Sequence, residues 1–142
     1  MKISKNGQYA LISVADLAMH DDHQSIAKIA GRHNIDPRYL GQIFFTLKKA
    51  GIISSVRGKN GGYFLCKNPL EITAGDVVRA IEGDLAPTKC SIDRQAAVSC
   101  DVFHSCITYP LWQTLAFQIN HTLNRITIAE IADQFSKWRT AK

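Results

Sequence analysis

Apolar residues recur at helical spacing over most of this chain. In "GQYALISVADLAMH", residues 7–20, Ala10, Leu11, Val14, Leu17 and Ala18 fall three or four apart, which predicts an amphipathic helix. After the polar connection "DDHQ" comes "SIAKIAGRHN", with Ser25 as N-cap, Ile26, Ile29 and Ala30 as its buried stripe, and Gly31 and Asn34 marking its end. A third helix opens at Asp36-Pro37, a capping residue followed by a proline at the first helical position, where its missing N–H costs nothing. Its stripe is Leu40, Ile43, Phe44 and Leu47, and Gly51 ends it. The pattern then changes. "IISSV" and "GYFL" are short β-prone runs around "RGKNGG", a hairpin with Asn60–Gly61 as its turn signal.

A fourth helix follows in "LEITAGDVVRAIEGD", started by a capping box of Thr73 and Asp76, with Val77, Val78 and Ile81 facing inward. Residues 85–110 show no steady period and hold two of the four prolines and three of the four cysteines, so they read as a loop. Beyond Pro110, Leu111, Leu115, Ile119, Thr122, Leu123 and Ile126 keep helical spacing, while Trp112 and Phe117 add apolar surface off that stripe. A helix apolar on more than one side needs a partner, and a second copy of the chain is the simplest one. "TIAE" is a capping box that starts a short last helix through Ile131 and Phe135. The expected fold is mainly α with a small β-hairpin wing: a winged helix-turn-helix over residues 1–84, a cysteine-bearing sensor loop over 85–110, and a long dimerisation helix plus a short C-terminal helix over 111–142.

Charge sharpens this picture. The formal net charge of +5 is modest, but Arg38 to Lys67 contains six basic residues and no Asp or Glu, whereas residues 1–37 carry four of each sign and residues 68–142 carry seven basic against eight acidic. The whole excess thus lies on the third helix and the hairpin, which points to a polyanion. The first turn of a recognition helix lies nearest the base edges of a major groove. Here Arg38 and Gln42 have base-reading chemistry, Arg for guanine and Gln for adenine. Tyr39 can reach a phosphate or a thymine methyl, Gly41 lets the duplex come close, and Lys48 and Lys49 sit where phosphates are expected. Gly58, Gly61 and Gly62 keep the hairpin thin, so that Arg57 and Lys59 at its tip can enter a minor groove or grip phosphates. The expected partner is double-stranded DNA.

Function classes are narrowed by what the sequence lacks. There is no glycine-rich phosphate cradle before a helix, no His-Glu-x-x-His and no telling Cys–His spacing, so an enzyme is not expected. No run approaches the length of a membrane span and no cleavage signature follows the N-terminus, so the expected location is the cytoplasm. Cysteines in such a setting serve more often as ligands or inert thiols than as disulfides. Cys90, Cys100 and Cys106 are spaced C-x9-C-x5-C, unlike the C-x2-C knuckle of structural zinc sites. They fall one short of the four ligands that tetrahedral zinc or an iron–sulfur cluster takes, with Asp93, Asp101, His104, Tyr109 or His33 of a dimer as candidates for the fourth.

The stretches "YALISVADLA", "YLGQIFFTLKKAGIISSVRGKNGGYFL", "ITAGDVVRAIEG" and "LNRITIAEI", together with the cysteine segment, resemble the winged-helix iron–sulfur transcription regulators that include IscR and NsrR. The resemblance covers nearly the whole chain. It implies a homodimer joined through the long C-terminal helix and bound to a roughly palindromic operator. It also implies a 2Fe–2S or 4Fe–4S cluster on Cys90, Cys100 and Cys106 that reports redox state, nitric oxide or iron–sulfur supply, and DNA contacts from Arg57, Tyr39 and Gln42. The chain departs from that family at four places: the first cysteine gap is nine residues instead of five, Tyr109 stands where a ligating His is usual, Gln8 stands where an N-terminal Asp can ligate from the partner, and Gly41 replaces a common Glu. The alternative is a regulator of the same fold without a cluster, responding to a small molecule, a partner protein or thiol oxidation.

Overall fold

The computed structural model describes residues 1–142, which form seven α-helices and one two-stranded antiparallel hairpin. The helices are α1 (Lys5–Ala18), α2 (Ile26–His33), α3 (Pro37–Lys49), α4 (Ala74–Glu82), α5 (Arg94–Val98), α6 (Tyr109–Arg125) and α7 (Ile128–Thr140); the strands are β1 (Ile53–Val56) and β2 (Gly62–Leu65). No helix is long and apolar enough to cross a membrane.

The caps lie where the sequence placed them. Ser25 accepts from the Lys28 N–H at 3.2 Å and Asp36 from the Arg38 N–H at 2.8 Å. Thr73 and Asp76 bond reciprocally at 2.9 and 3.1 Å, as do Thr127 and Glu130 at 2.7 and 3.2 Å. The Thr127 N–H and, after it, the Thr127 hydroxyl hold the Glu130 carboxyl below its ordinary value. Gly31 does not end α2; it lies inside the helix, and Asn34 ends it in the left-handed conformation, φ 53°.

The core joins Ala10, Val14 and Leu17 of α1, Ile29 of α2, Leu40, Ile43, Phe44 and Leu47 of α3, Ile53 of β1 and Val77 of α4. Ile128 belongs to it as well and is fully buried. α7, a helix of thirteen residues and not a short tail, therefore returns from the far end of the sequence and packs its first half against α1, with Ile128 and Ala132 buried. Its entry is pinned by backbone: the Ala74 N–H donates to Ile126 O and the Ile128 N–H to Ile72 O, each at 2.8 Å, so the starts of α4 and α7 are bonded to one another.

The cysteine segment is more ordered than its aperiodic sequence predicts. It folds as a 3-10 turn at Lys89–Ser91, the short helix α5 and a second 3-10 turn at Phe103–Ser105. Asp93 caps α5 and Ala97 is its one buried residue, too little apolar patterning to read at sequence level. By contrast, α6 buries only Ala116 within the chain and leaves Leu111, Leu115 and Phe117 exposed.

Candidate nucleic-acid interface and cysteine segment

The buried stripe of α3 fixes what its other side shows. With Leu40, Ile43, Phe44 and Leu47 inward, Arg38, Gln42, Phe45 and Lys49 occupy the opposite, exposed side, and Lys48 lies at its edge. Phe45 went unnoticed at sequence level, although the period already places it opposite the stripe; it is 70% exposed. Lys48 Nζ donates to Ser55 Oγ at 2.7 Å, tying the end of α3 to β1. Tyr39 is half-buried: its hydroxyl donates to the side-chain oxygen of Asn6, and its ring meets the Tyr9 ring edge-on at 5.8 Å.

The hairpin pairs Ile53 with Leu65 through Val56 with Gly62, so the loop is five residues, Arg57–Gly61, and not a two-residue Asn-Gly turn. The Gly61 N–H donates to Gly58 O at 3.0 Å, which places Asn60 and Gly61 at the third and fourth positions of a β-turn. A third backbone joins the hairpin at one residue: Gln24 N donates to Tyr63 O at 3.0 Å and Tyr63 N to Gln24 O at 2.8 Å. Gly62 allows that approach, because a Cβ there would sit 2.8 Å from the Gln24 carbonyl and its φ of +142° is one that other residues rarely adopt. The His23 ring lies on Phe64 at 4.9 Å, and Phe44 meets Tyr63 edge-on at 4.8 Å. The wing is thus anchored to α3 below and to the residues before α2 behind.

Behind the wing lies a polar network whose members stand too far apart in the chain for any local pattern to announce it. Asp16 is 5% exposed. Arg32 Nε donates to its carboxylate at 2.9 Å, Arg32 Nη2 makes a second bond, and His33 Nε2 lies at 2.7 Å. Arg32 Nη2 also donates to Gln24 Oε1 at 2.9 Å, so the network continues to the residue that bonds the wing. Burial opposes ionisation of Asp16, but the hydrogen bonds from Arg32 and His33 outweigh it and hold the carboxyl below its ordinary value. His33, a candidate fourth ligand on sequence, is thereby engaged within its own chain.

Arg38, Lys48, Lys49, Arg57, Lys59 and Lys67 form no ion pair; every salt bridge lies elsewhere. Arg38, Gln42, Lys48, Arg57 and Lys59 are all exposed. An unneutralised cationic surface on a helix and an adjoining thin loop is fitted to a phosphate-lined groove.

The cysteines are arranged differently. Cys90 lies in the first 3-10 turn, Cys100 follows α5, and Cys106 follows the second 3-10 turn. No three side chains of His, Cys, Asp or Glu come together closely enough to share a metal ion. The donor chemistry suits a cluster, but the arrangement within one chain does not fit one. Cys90 Sγ lies 3.1 Å from Thr88 Oγ1 and Cys106 Sγ 3.4 Å from Thr108 Oγ1. The Thr108 hydroxyl, then its N–H, hold the Cys106 thiol below its ordinary value. Of the residues at the family's fourth-ligand positions, the Tyr109 hydroxyl accepts from Gln113 Nε2 and the Gln8 amide donates to Ile3 O, both at 3.0 Å. His104 stacks edge-on against Phe103 at 5.3 Å.

The Rrf2 model, described as iron-dependent transcriptional regulator, matches residues 3–134. The chain belongs to the Rrf2 family. As an Rrf2 protein it is a DNA-binding transcription regulator, and its relatives are regulators, not enzymes. It is 36% identical over 135 residues to the HTH-type transcriptional regulator IscR of Pectobacterium atrosepticum, covering 94% of this chain and 80% of that one, and equally so to IscR of Serratia proteamaculans. Among solved structures it resembles CymR, the global cysteine regulator of B. subtilis, with a TM-score of 0.78 and 30% identity over 94% of this chain and 98% of that one. It likewise resembles T. potens IscR, with a TM-score of 0.75 and 31% identity over 94% and 88%.

Proposed function

We propose that this Rrf2 protein acts as a homodimer that holds two recognition helices against successive major grooves of an operator in the cytoplasm. The observation that carries the reading is the exposed side of α3 and the wing tip, whose charged residues are all cations, none of them ion-paired. Arg38 and Gln42 read bases, Lys48 meets a phosphate, and Arg57 and Lys59 enter the minor groove or hold its rim. Tyr39 reaches the duplex by exchanging Asn6 for a phosphate. The second copy is supported by α6, whose Leu111, Leu115 and Phe117 are exposed. Each phosphate contact releases counterions, so Arg57→Ala with Lys59→Ala should lower the slope of log affinity against log salt by about 2, at roughly 0.9 per contact. Fluorescence anisotropy with a random-sequence duplex over a salt series measures this; an unchanged slope removes the wing from the interface.

The sensing element in this reading is residues 85–110, with Cys90, Cys100 and Cys106 holding an iron–sulfur cluster, 2Fe–2S or 4Fe–4S. The lowered Cys106 thiol and the IscR relatives support it. The segment leads directly into α6, and α6 is joined to the DNA-binding lobe by polar contacts: Arg79 Nη2 donates to Asn124 Oδ1 at 2.6 Å, and Arg79 Nη1 to Asn120 Oδ1 at 3.4 Å. Reordering the segment would change the tilt of α6 against α4 and so the separation of the two recognition helices. A second reading, regulation by thiol oxidation or a small molecule without a cluster, is favoured by the failure of the three cysteines to converge and by the likeness to CymR. Anaerobic purification with visible absorption and iron and sulfide analysis separates them. Under the first reading the protein is coloured and Cys100→Ser bleaches it; a colourless, iron-free protein whose operator affinity responds to oxidants supports the second.

A further inference from the structure

Two positions on α3, Phe45 on its exposed side and the half-buried Gly41 at the flank of that side, break local rules that the rest of the helix obeys. Phe45 places a large apolar ring in water, 70% exposed, amid Arg38, Gln42, Lys48 and Lys49, with no aromatic neighbour. Gly41, one turn before it, sits in a helix interior, where alanine is the better helix former. Nothing in the fold requires glycine there: its φ is not positive, and an added Cβ would meet only Ile26 Cδ1 at 3.8 Å, an ordinary contact. Residues four apart on a helix are neighbours on one side of it. The two exceptions therefore form a single feature, a notch beside a projecting ring. Departures from local consistency that the fold does not explain mark functional positions.

We propose that Phe45 contacts the 5-methyl group of a thymine in the major groove and that Gly41 is the gap that lets α3 come close enough for it to do so. The inference rests on the DNA-binding reading and adds a specificity-determining residue to it. The surrounding charge selects the occupant. A second copy of the same cationic, acid-free surface would repel it, whereas a duplex brings phosphates to the lysines. The major-groove edge offers a phenyl ring one apolar group, the thymine methyl.

The test uses the whole 142-residue chain and a pool of random double-stranded 30-mers. Duplexes retained by the wild type and by Phe45→Ala are sequenced. The wild-type site is then remade with each thymine replaced in turn by deoxyuridine, which removes only the methyl. At one thymine per half-site the replacement should weaken wild-type binding about four-fold, the equivalent of ~0.8 kcal/mol for one buried methyl-sized group. The same replacement should leave Phe45→Ala unaffected, and the Phe45→Ala consensus should relax at that position. Gly41→Ala should raise Tm and yet weaken binding, a pairing of signs that damage to the fold would not give. Sequence-selective binding that ignores every deoxyuridine, methyl sensitivity retained by Phe45→Ala, or undiminished binding by Gly41→Ala overturns this proposal and leaves the DNA-binding reading standing. A pool from which the wild type selects no sequence overturns both.

Discussion

Phe44→Ala should lose about 3–5 kcal/mol of stability, the cost of emptying a fully buried aromatic site. Phe44 is 0% exposed and stands where α3 meets the rest of the core. Its ring also meets Tyr63 edge-on at 4.8 Å, an arrangement worth about 0.5–1.5 kcal/mol beyond the area buried. Tyr63 is the residue whose N–H and carbonyl are both bonded to Gln24. The cavity would therefore open directly under the wing, and the damage should extend past global stability to the mobility of the hairpin. Urea unfolding reads the first effect. Hydrogen exchange at the Tyr63 and Gln24 amides, measured where the variant is still folded, reads the second. The neighbouring Phe45→Ala supplies the contrast, because an exposed side chain away from any cap or network changes stability by no more than about 0.5 kcal/mol. A loss below about 1 kcal/mol for Phe44→Ala would mean that α3 is turned differently, and the exposure of Arg38 and Gln42 would fall with it.

The two adjacent phenylalanines also show how far the sequence could be read. The period-3.6 stripe identified Phe44 as core, and the same period places Phe45 opposite it, since neighbours on a helix point about 100° apart. Caps were legible because they are local: Ser25, Asp36, Thr73 and Thr127 each bond a backbone N–H two or three residues on. What escaped notice depends on distance along the chain. Ile128 is a core residue of the N-terminal lobe, yet nothing near it in sequence says that α7 returns there. Gln24 acts as a third strand through a single residue, too short to carry a pattern. The basic surface was legible as a block because its members lie on consecutive elements. The cysteines were legible as a spacing, but spacing does not show convergence, and within one chain they do not converge.

Asp16 is the clearest case of chemistry hidden by distance, and it carries the second large effect. Its partners Arg32 and His33 are sixteen and seventeen residues further on. Asp16→Asn should cost about 2–3 kcal/mol at neutral pH. Breaking a buried ion pair costs roughly 3–5 kcal/mol, and the lower figure applies because Arg32 is 35% exposed and can rehydrate. The pH dependence follows from the direction of the shift. The folded carboxyl titrates below its ordinary value of 3.8, so the folded state holds the ionised form more firmly than the unfolded chain does. The stabilisation is complete above about pH 5 and is lost as pH falls below 4, through the folded value. Wild type and Asp16→Asn should therefore differ most at pH 7 and converge toward pH 3 in urea unfolding; a gap that stays constant across that range would show that the carboxylate is not the group responsible. Arg32→Ala provides the companion measurement. It removes the fork from Asp16 and the bond to Gln24 together, so it should destabilise the protein and also reduce the effect of Arg57→Ala on duplex affinity, because a wing that is no longer held from behind cannot place Arg57 consistently. If Arg57→Ala costs the same affinity in both backgrounds, the network stabilises the lobe without positioning the wing.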